Sequence, residues 1–247
     1  TKILPSPILS VRAAEMMKYC CNNFHALKIT FANETARLCA ALGVDAFEVM
    51  DLVCQDTQLN ISTAYLKPGY AFGGSCLPKD LRALTHTARS NDIDTPLLAN
   101  VLASNEVRLR HAVDLVIADG RRKVGIFGLS FKPGTDDLRE SPMLELAERL
   151  IGKGFDVKIH DANVIVSRLI GANRSYIDER LPHIGELLVD DVDAVVAHGE
   201  VLIVASRAPE VLDALSRAGS ERLIIDLVRL PDAGQRRETA NYQGIGW

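Results

Sequence analysis

The chain has 247 residues, room for two modest domains or one large one, and at 47% hydrophobic and 24% charged its composition is that of an ordinary globular protein. A formal net charge of −4 with no dense Lys/Arg run argues against a nucleic-acid partner, although a few local cations suffice for a phosphorylated ligand. No apolar run reaches the roughly 20 residues that span a bilayer, TKILPSPILSVRAAEMMKY lacks the order of a secretory signal, and five cysteines without metal-type spacing suit free thiols in a cytoplasmic setting.

From about Ser10 to Leu42 the spacing predicts one long helix closed by Gly43. Cys20, Phe24, Leu27, Phe31, Leu38 and Leu42 fall within an arc of about 60°, and Lys18, Asn22, His25 and Asn33 within about 80° on nearly the opposite side. The second stripe is either the solvated face or a row of donors for a polar ligand, and its amides and imidazole are unusual for the first role. A short helix around DAFEVMDLVCQD follows, then the loop NISTAYLKPGYAFGGSC and a helix from Leu77 to about Arg89. Thr95 reads as an N-cap and Pro96 as the first position of a long helix that closes at Gly120, with Leu98, Leu102, Leu109, Val113 and Val116 as its apolar rhythm. Its length suits a spine between domains or across a subunit interface. Residues 1–120 thus read as a helical domain with one special loop.

At Arg121 the character changes. RRKVGIFGLSF reads as a buried parallel strand, Ser141-Pro142 opens a helix, and FDVKIHD is a second strand ending in Asp161. DVDAVVAHG (helix), EVLIVAS (strand), PEVLDALSRAG (helix) and RLIIDLV (strand) continue the alternation, so residues 121–247 form an α/β, doubly wound, parallel-sheet domain of Rossmann-like type. Such sheets bind ligands beyond the carboxyl ends of their strands, which puts SFKPGTDDLRES at the ligand edge. The dinucleotide fingerprint G-x-G-x-x-G is broken here: Gly128 is present, Ser130 stands at the second glycine position and the third glycine is missing. A self-sufficient NAD site in this domain is therefore not expected. Lys132 and Arg139 are either phosphate contacts or surface charges.

Within GYAFGGSCLPKDLRAL, Cys76 sits just before a predicted helix, with Lys79 three and Asp80 four residues on. Helix N-termini and nearby cations favour a thiolate, and glycines let a ligand approach. Asp80, on the same helical face, is placed to hold or activate a water. On these residues alone Cys76 is either a nucleophile or a small buried residue of a turn. The other cysteines, Cys20, Cys21, Cys39 and Cys54, are expected in the core.

AEMMKYCCNNFHALKITFANE, AFGGSCLPKD and GLSFKPGTDDLRESP, in this order, closely resemble the nucleotide-sugar 6-dehydrogenases, the family of the UDP-glucose and GDP-mannose enzymes. The resemblance covers the whole chain but only the central and C-terminal parts of such an enzyme; the family's N-terminal Rossmann domain has no counterpart in these residues. It implies a four-electron oxidation of a sugar C6 alcohol to a carboxylate with NAD⁺, through a thiohemiacetal and a thioester on Cys76. Lys18 and Asn22 would stabilise the oxyanions at C6, and Asp80 would activate water together with Lys18. His25, Asn33, Tyr65, Lys67, Tyr70 and Gly73 would contact the substrate alongside Lys18 and Asn22, while Lys79, Lys132 and Arg139 would reach the NAD side of the cleft. His25 and the terminal GIGW look more like the GDP-mannose branch, whose product GDP-mannuronate feeds an alginate-type polysaccharide. The expected partners are a nucleotide sugar and a second copy paired through the long helix, with no nucleic acid, membrane or metal. The competing reading is a non-catalytic nucleotide-binding and dimerisation module.

Overall fold

The structure, a computed structural model, describes residues 10–41, 43–56, 68–90, 96–131, 134–164, 175 and 184–247. Four helices come first: α1 (Val11–Ala41), α2 (Ala46–Gln55), α3 (Leu77–Ser90) and α4 (Pro96–Asp119). Asp45 caps α2 by accepting from the Phe47 N–H, the pattern by which a short polar side chain satisfies an orphan donor. The sheet half then runs β1 (Lys123–Phe127), α5 (Pro142–Gly152), β2 (Asp156–His160), α6 (Ile184–Leu187), α7 (Val192–His198), β3 (Val201–Val204), α8 (Pro209–Arg217), β4 (Leu223–Asp226), α9 (Ala233–Arg236) and β5 (Tyr242–Gly244). Every strand expected from sequence is present. β5 is an addition, too short to show a period.

All pairings are parallel and the strand order is β2-β1-β3-β4-β5, a doubly wound order whose direction of winding reverses between β1 and β3. Alternate strand residues serve opposite faces. Val124, Ile126, Val201, Ile203 and Ile225 join the core beneath α4 and α5. Phe127, Leu202, Val204 and Ile224 join the opposite core, with Val195 of α7 and Val211 and Leu215 of α8. Burial on both faces is why these strands read as unbroken apolar runs.

α4 joins the two halves. Near its start, Val101 packs with Ala26, Phe72 and Leu81; further on, Leu109, Ala112, Val113 and Val116 pack on the sheet. Each large side chain so buried contributes roughly 1.5–3 kcal/mol. Thr95, its expected N-cap, lies outside the described residues.

Of the apolar stripe expected on α1, Leu27 packs partly buried against Ala26, Phe72, Leu81 and Val101, and the side chains of Phe31, Leu38 and Leu42 lie outside the described residues. Phe24 is 49% exposed and Cys20 is exposed, whereas Asn23, Ala26, Thr30, Ala32, Asn33 and Ala36 are buried. Small residues win the inward face because they let α3 and α4 approach closely, and its amides serve backbone partners elsewhere. Cys21 is also exposed, so of the four cysteines expected in the core only Cys39 and Cys54 are there. Among the described residues no helix is long and apolar enough to cross a membrane.

Candidate active site

Cys76 immediately precedes α3, and its carbonyl accepts the first helical hydrogen bond, from the Asp80 N–H at 2.9 Å. The thiol is exposed and stands at the positive end of a 14-residue helix, with the Ser75 hydroxyl 4.0 Å from Sγ. Asp80, one turn into the helix, is completely buried. Its Oδ2 accepts from Asn22 Nδ2 and lies 3.9 Å from Lys18 Nζ; its Oδ1 lies 3.5 Å from Lys79 Nζ. Asn23 fastens the same point by donating to the Asp80 carbonyl at 3.4 Å and to the Tyr19 carbonyl at 2.8 Å. The i, i+4 spacing of Lys18 and Asn22 on α1 is what aims both at one carboxylate.

The residues expected to hold substrate divide into three groups. Lys18 and Asn22 converge on Asp80, and His25 is half-buried one turn along the same helix. Asn33 and Tyr70 have inward roles: Asn33 Oδ1 accepts from Gly69 N–H at 2.9 Å and its Nδ2 donates to the Tyr70 carbonyl at 3.3 Å, while burial pushes the Tyr70 phenol well up from its ordinary value and its hydroxyl is sealed off from solvent. Tyr65 and Lys67 lie outside the described residues, as does Lys132, which was expected on the NAD side of the cleft.

The glycines of the collar make room chiefly for the protein itself. A Cβ on Gly73 would sit 2.2 Å from the Glu140 carbonyl oxygen, and one on Gly74 would sit 2.8 Å from the Phe131 ring. Gly74 also adopts φ 84°, a left-handed conformation that glycine takes at least cost, and its N–H donates to the Glu140 carbonyl at 3.1 Å. Arg82 of α3 pairs with the Glu140 carboxylate, closing the contact from the other side. Next to this turn, Arg139 forms a two-pronged pair with Asp137 at 2.9 and 2.8 Å, which holds the Asp137 carboxyl below its ordinary value.

The carboxyl edge of the sheet has its own arrangement. Asp161, just past β2, accepts from the N–H groups of Leu129 and Ser130 at 2.8 and 3.0 Å and from the Ser130 hydroxyl at 3.2 Å, all on Oδ2. The turn after β1 thus directs its donors at an internal carboxylate, where a dinucleotide fold would direct them at a pyrophosphate.

Sequence reasoning passed over Asn105, Arg108, Glu140 and Asp161. Asn105 exchanges two hydrogen bonds of 2.9 Å with the backbone of Phe72, and Arg108 Nε donates to the Gly69 carbonyl at 2.9 Å. A polar residue interrupting the apolar rhythm of α4 was the available signal for both. No group of three or more metal-ligating side chains occurs among the described residues.

Residues 12–107 match the UDP-glucose/GDP-mannose dehydrogenase family, central domain, and residues 125–233 match the UDP binding domain of the same family. The GDP-mannose 6-dehydrogenase of Pseudomonas aeruginosa is 48% identical over 246 residues, covering 99% of this chain and 56% of that protein. In the crystal structure of a ternary complex of the Pseudomonas aeruginosa GDP-mannose dehydrogenase, the same extent superposes with a TM-score of 0.69. A UDP-glucose dehydrogenase from Pyrobaculum islandicum, 32% identical, superposes with a TM-score of 0.80 over 100% of this chain and 54% of that one. The chain therefore spans about half the length of the relatives it matches.

Proposed function

The chain belongs to the UDP-glucose/GDP-mannose dehydrogenase family, and from that premise we propose that it supplies the thiol-bearing and nucleotide-binding parts of an NAD-dependent enzyme that oxidises the C6 alcohol of GDP-mannose to the carboxylate of GDP-mannuronate. The observation that carries this reading is the exposed Cys76 at the start of α3, with a buried carboxylate one turn on and an amide and an ammonium from α1 beside it.

The chemistry follows from these groups. The Cys76 thiolate adds to the C6 carbonyl carbon of the sugar aldehyde, forming the C–S bond as the carbonyl electron pair moves to oxygen. Lys18 and Asn22, held on one face of α1, are the donors for that oxyanion, and Lys18 is exposed enough to turn from Asp80 toward it. Once the carbon has been oxidised to the thioester, Asp80 takes a proton from water as the water attacks, and the C–S bond breaks to release carboxylate and thiolate. NAD⁺ supplies the oxidising equivalents when bound. The turn after β1 does not fit a dinucleotide, because Asp161 already takes the N–H groups a pyrophosphate would need. Lys79, which faces Asp80, and Arg139, which is paired with Asp137, are the described cations assigned to that side of the cleft, together with Lys132; Tyr65, Lys67, Tyr70, Gly73, His25 and Asn33 form or brace the sugar cradle.

A second reading, a UDP-hexose substrate, is supported by the match of residues 125–233 to the family's UDP binding domain. We also place a homodimer contact on α4, where Val107 and Ile117 are exposed. One experiment tests the function. In a form extended at the N-terminus by the dinucleotide domain the family resemblance implies, Cys76→Ser should abolish acid formation yet still show a thermal shift with GDP-mannose larger than with UDP-glucose. Undiminished turnover would overturn the thiol's role, and a larger shift with UDP-glucose would select the second reading.

A further inference from the structure

We propose that Asn105 of α4 is a positioning residue for Cys76: its amide clamps the backbone of the thiol loop at Phe72 and so aims the residues that lead to the nucleophile. This rests on Cys76 acting as nucleophile in the reaction above.

Asn105 stands one turn after Val101 and one turn before Leu109, on a buried helix face whose other polar member, Arg108, donates to the Gly69 carbonyl of the same loop. Side-chain patterning alone would place an aliphatic residue there. The amide instead does what a neighbouring β-strand would do. Its Oδ1 accepts from the Phe72 N–H at 2.9 Å, and its Nδ2 donates to the Phe72 carbonyl at 2.9 Å. Both polar groups of one buried loop residue are thereby satisfied by a single side chain. The two bonds also fix the peptide planes on either side of Phe72. The Phe72 ring packs with Leu81 of α3, the helix that Cys76 begins, so the same residue sets both the loop and the helix start. Between Phe72 and the thiol lie Gly73, Gly74 and Ser75, and the two glycines have little conformational preference of their own. Their path is decided by the anchors at their ends, which are Asn105 on the helical side and the Glu140 carbonyl on the sheet side.

The test has two arms. In the chain as it stands, Asn105→Ala should speed amide exchange across residues 69–74 by about tenfold, the equivalent of one or two lost hydrogen bonds, with peptides from α1 and β3 unchanged. Unchanged exchange at the loop would overturn the clamp. In the form extended by a dinucleotide domain, the variant should still oxidise alcohol to C6 aldehyde, trapped with hydroxylamine, while acid formation falls by on the order of tenfold to a hundredfold. A residue that only stabilised the fold would depress both oxidations together, and that result, or unchanged partition between aldehyde and acid, would overturn the positioning role. Should Asn105→Ala fail to fold, Asn105→Asp keeps the acceptor for the Phe72 N–H, removes the donor to its carbonyl, and is read by the same partition. If the unsubstituted extended form oxidises no nucleotide sugar, the functional reading fails, and the exchange arm still decides whether Asn105 holds the loop.

Discussion

A buried carboxylate must have its charge answered, and Asp80 is answered unequally by its neighbours. Asn22 hydrogen-bonds it directly, whereas the ammonium groups of Lys18 and Lys79 stand 3.9 and 3.5 Å away on side chains that are more than half exposed. Screening makes such contacts weak, so Lys18→Met should change stability by no more than about 0.5 kcal/mol. Asp80→Ala leaves the Asn22 amide without its acceptor inside the protein and should cost about 2 kcal/mol. The pair of variants separates structure from chemistry. In urea titrations only Asp80→Ala should shift the midpoint appreciably, while Lys18→Met in the extended form should lose turnover at nearly full stability. A Lys18→Met protein as destabilised as Asp80→Ala would mean that the ammonium holds the fold and has no reserve for a substrate.

At the scale of elements, the loop before α3 shows how little a glycine-rich stretch reveals by itself. Its glycines read as space for a ligand, yet Gly73 and Gly74 are close against Glu140 and Phe131. Gly74→Ala would combine a left-handed backbone with a Cβ 2.8 Å from the Phe131 ring and should destabilise by about 2–4 kcal/mol. Gly69→Ala, with no atom within 4 Å of its Cβ and no positive φ, should stay within about 0.5 kcal/mol. Equal melting temperatures for the two variants would refute this account of the collar. The same contrast marks what sequence could show. The strands were legible because burial on both faces leaves plain apolar runs, and the helix start after Cys76, with Asp80 one turn in, was legible from the helical spacing of LPKDLRAL. On α1 bulk is no guide to burial at Cys20 and Phe24, which are exposed, because Ala26, Ala32 and Ala36 are the residues that fit beneath the neighbouring helices. Asn105 shows in the sequence only as a break in the apolar rhythm of α4 and Glu140 not at all, since each acts on loop backbone 33 or 66 residues away.

For the whole molecule, the decisive fact is that α4 belongs to two cores at once. Its first turns close over α1 and α3, and its later turns lie on the sheet beside α5. Between them, Arg149 of α5 grips Glu106 of α4 through two bonds of 2.7 and 2.9 Å and takes Glu145 at 2.6 Å, which raises the guanidinium further above its ordinary value. Neither half can lose its structure while the other keeps α4 in place, because the helix would leave Leu109, Val113 and Val116 facing water in one case and Val101 in the other. Calorimetry should therefore show one transition, with a calorimetric enthalpy equal to the van't Hoff value. If the α4 face carrying Val107 and Ile117 pairs two copies, the midpoint must also rise with protein concentration, because association stabilises only the folded chain. Two resolved transitions would show that the halves are energetically separate in spite of the shared helix. One transition with a concentration-independent midpoint would keep the spine and remove the dimer.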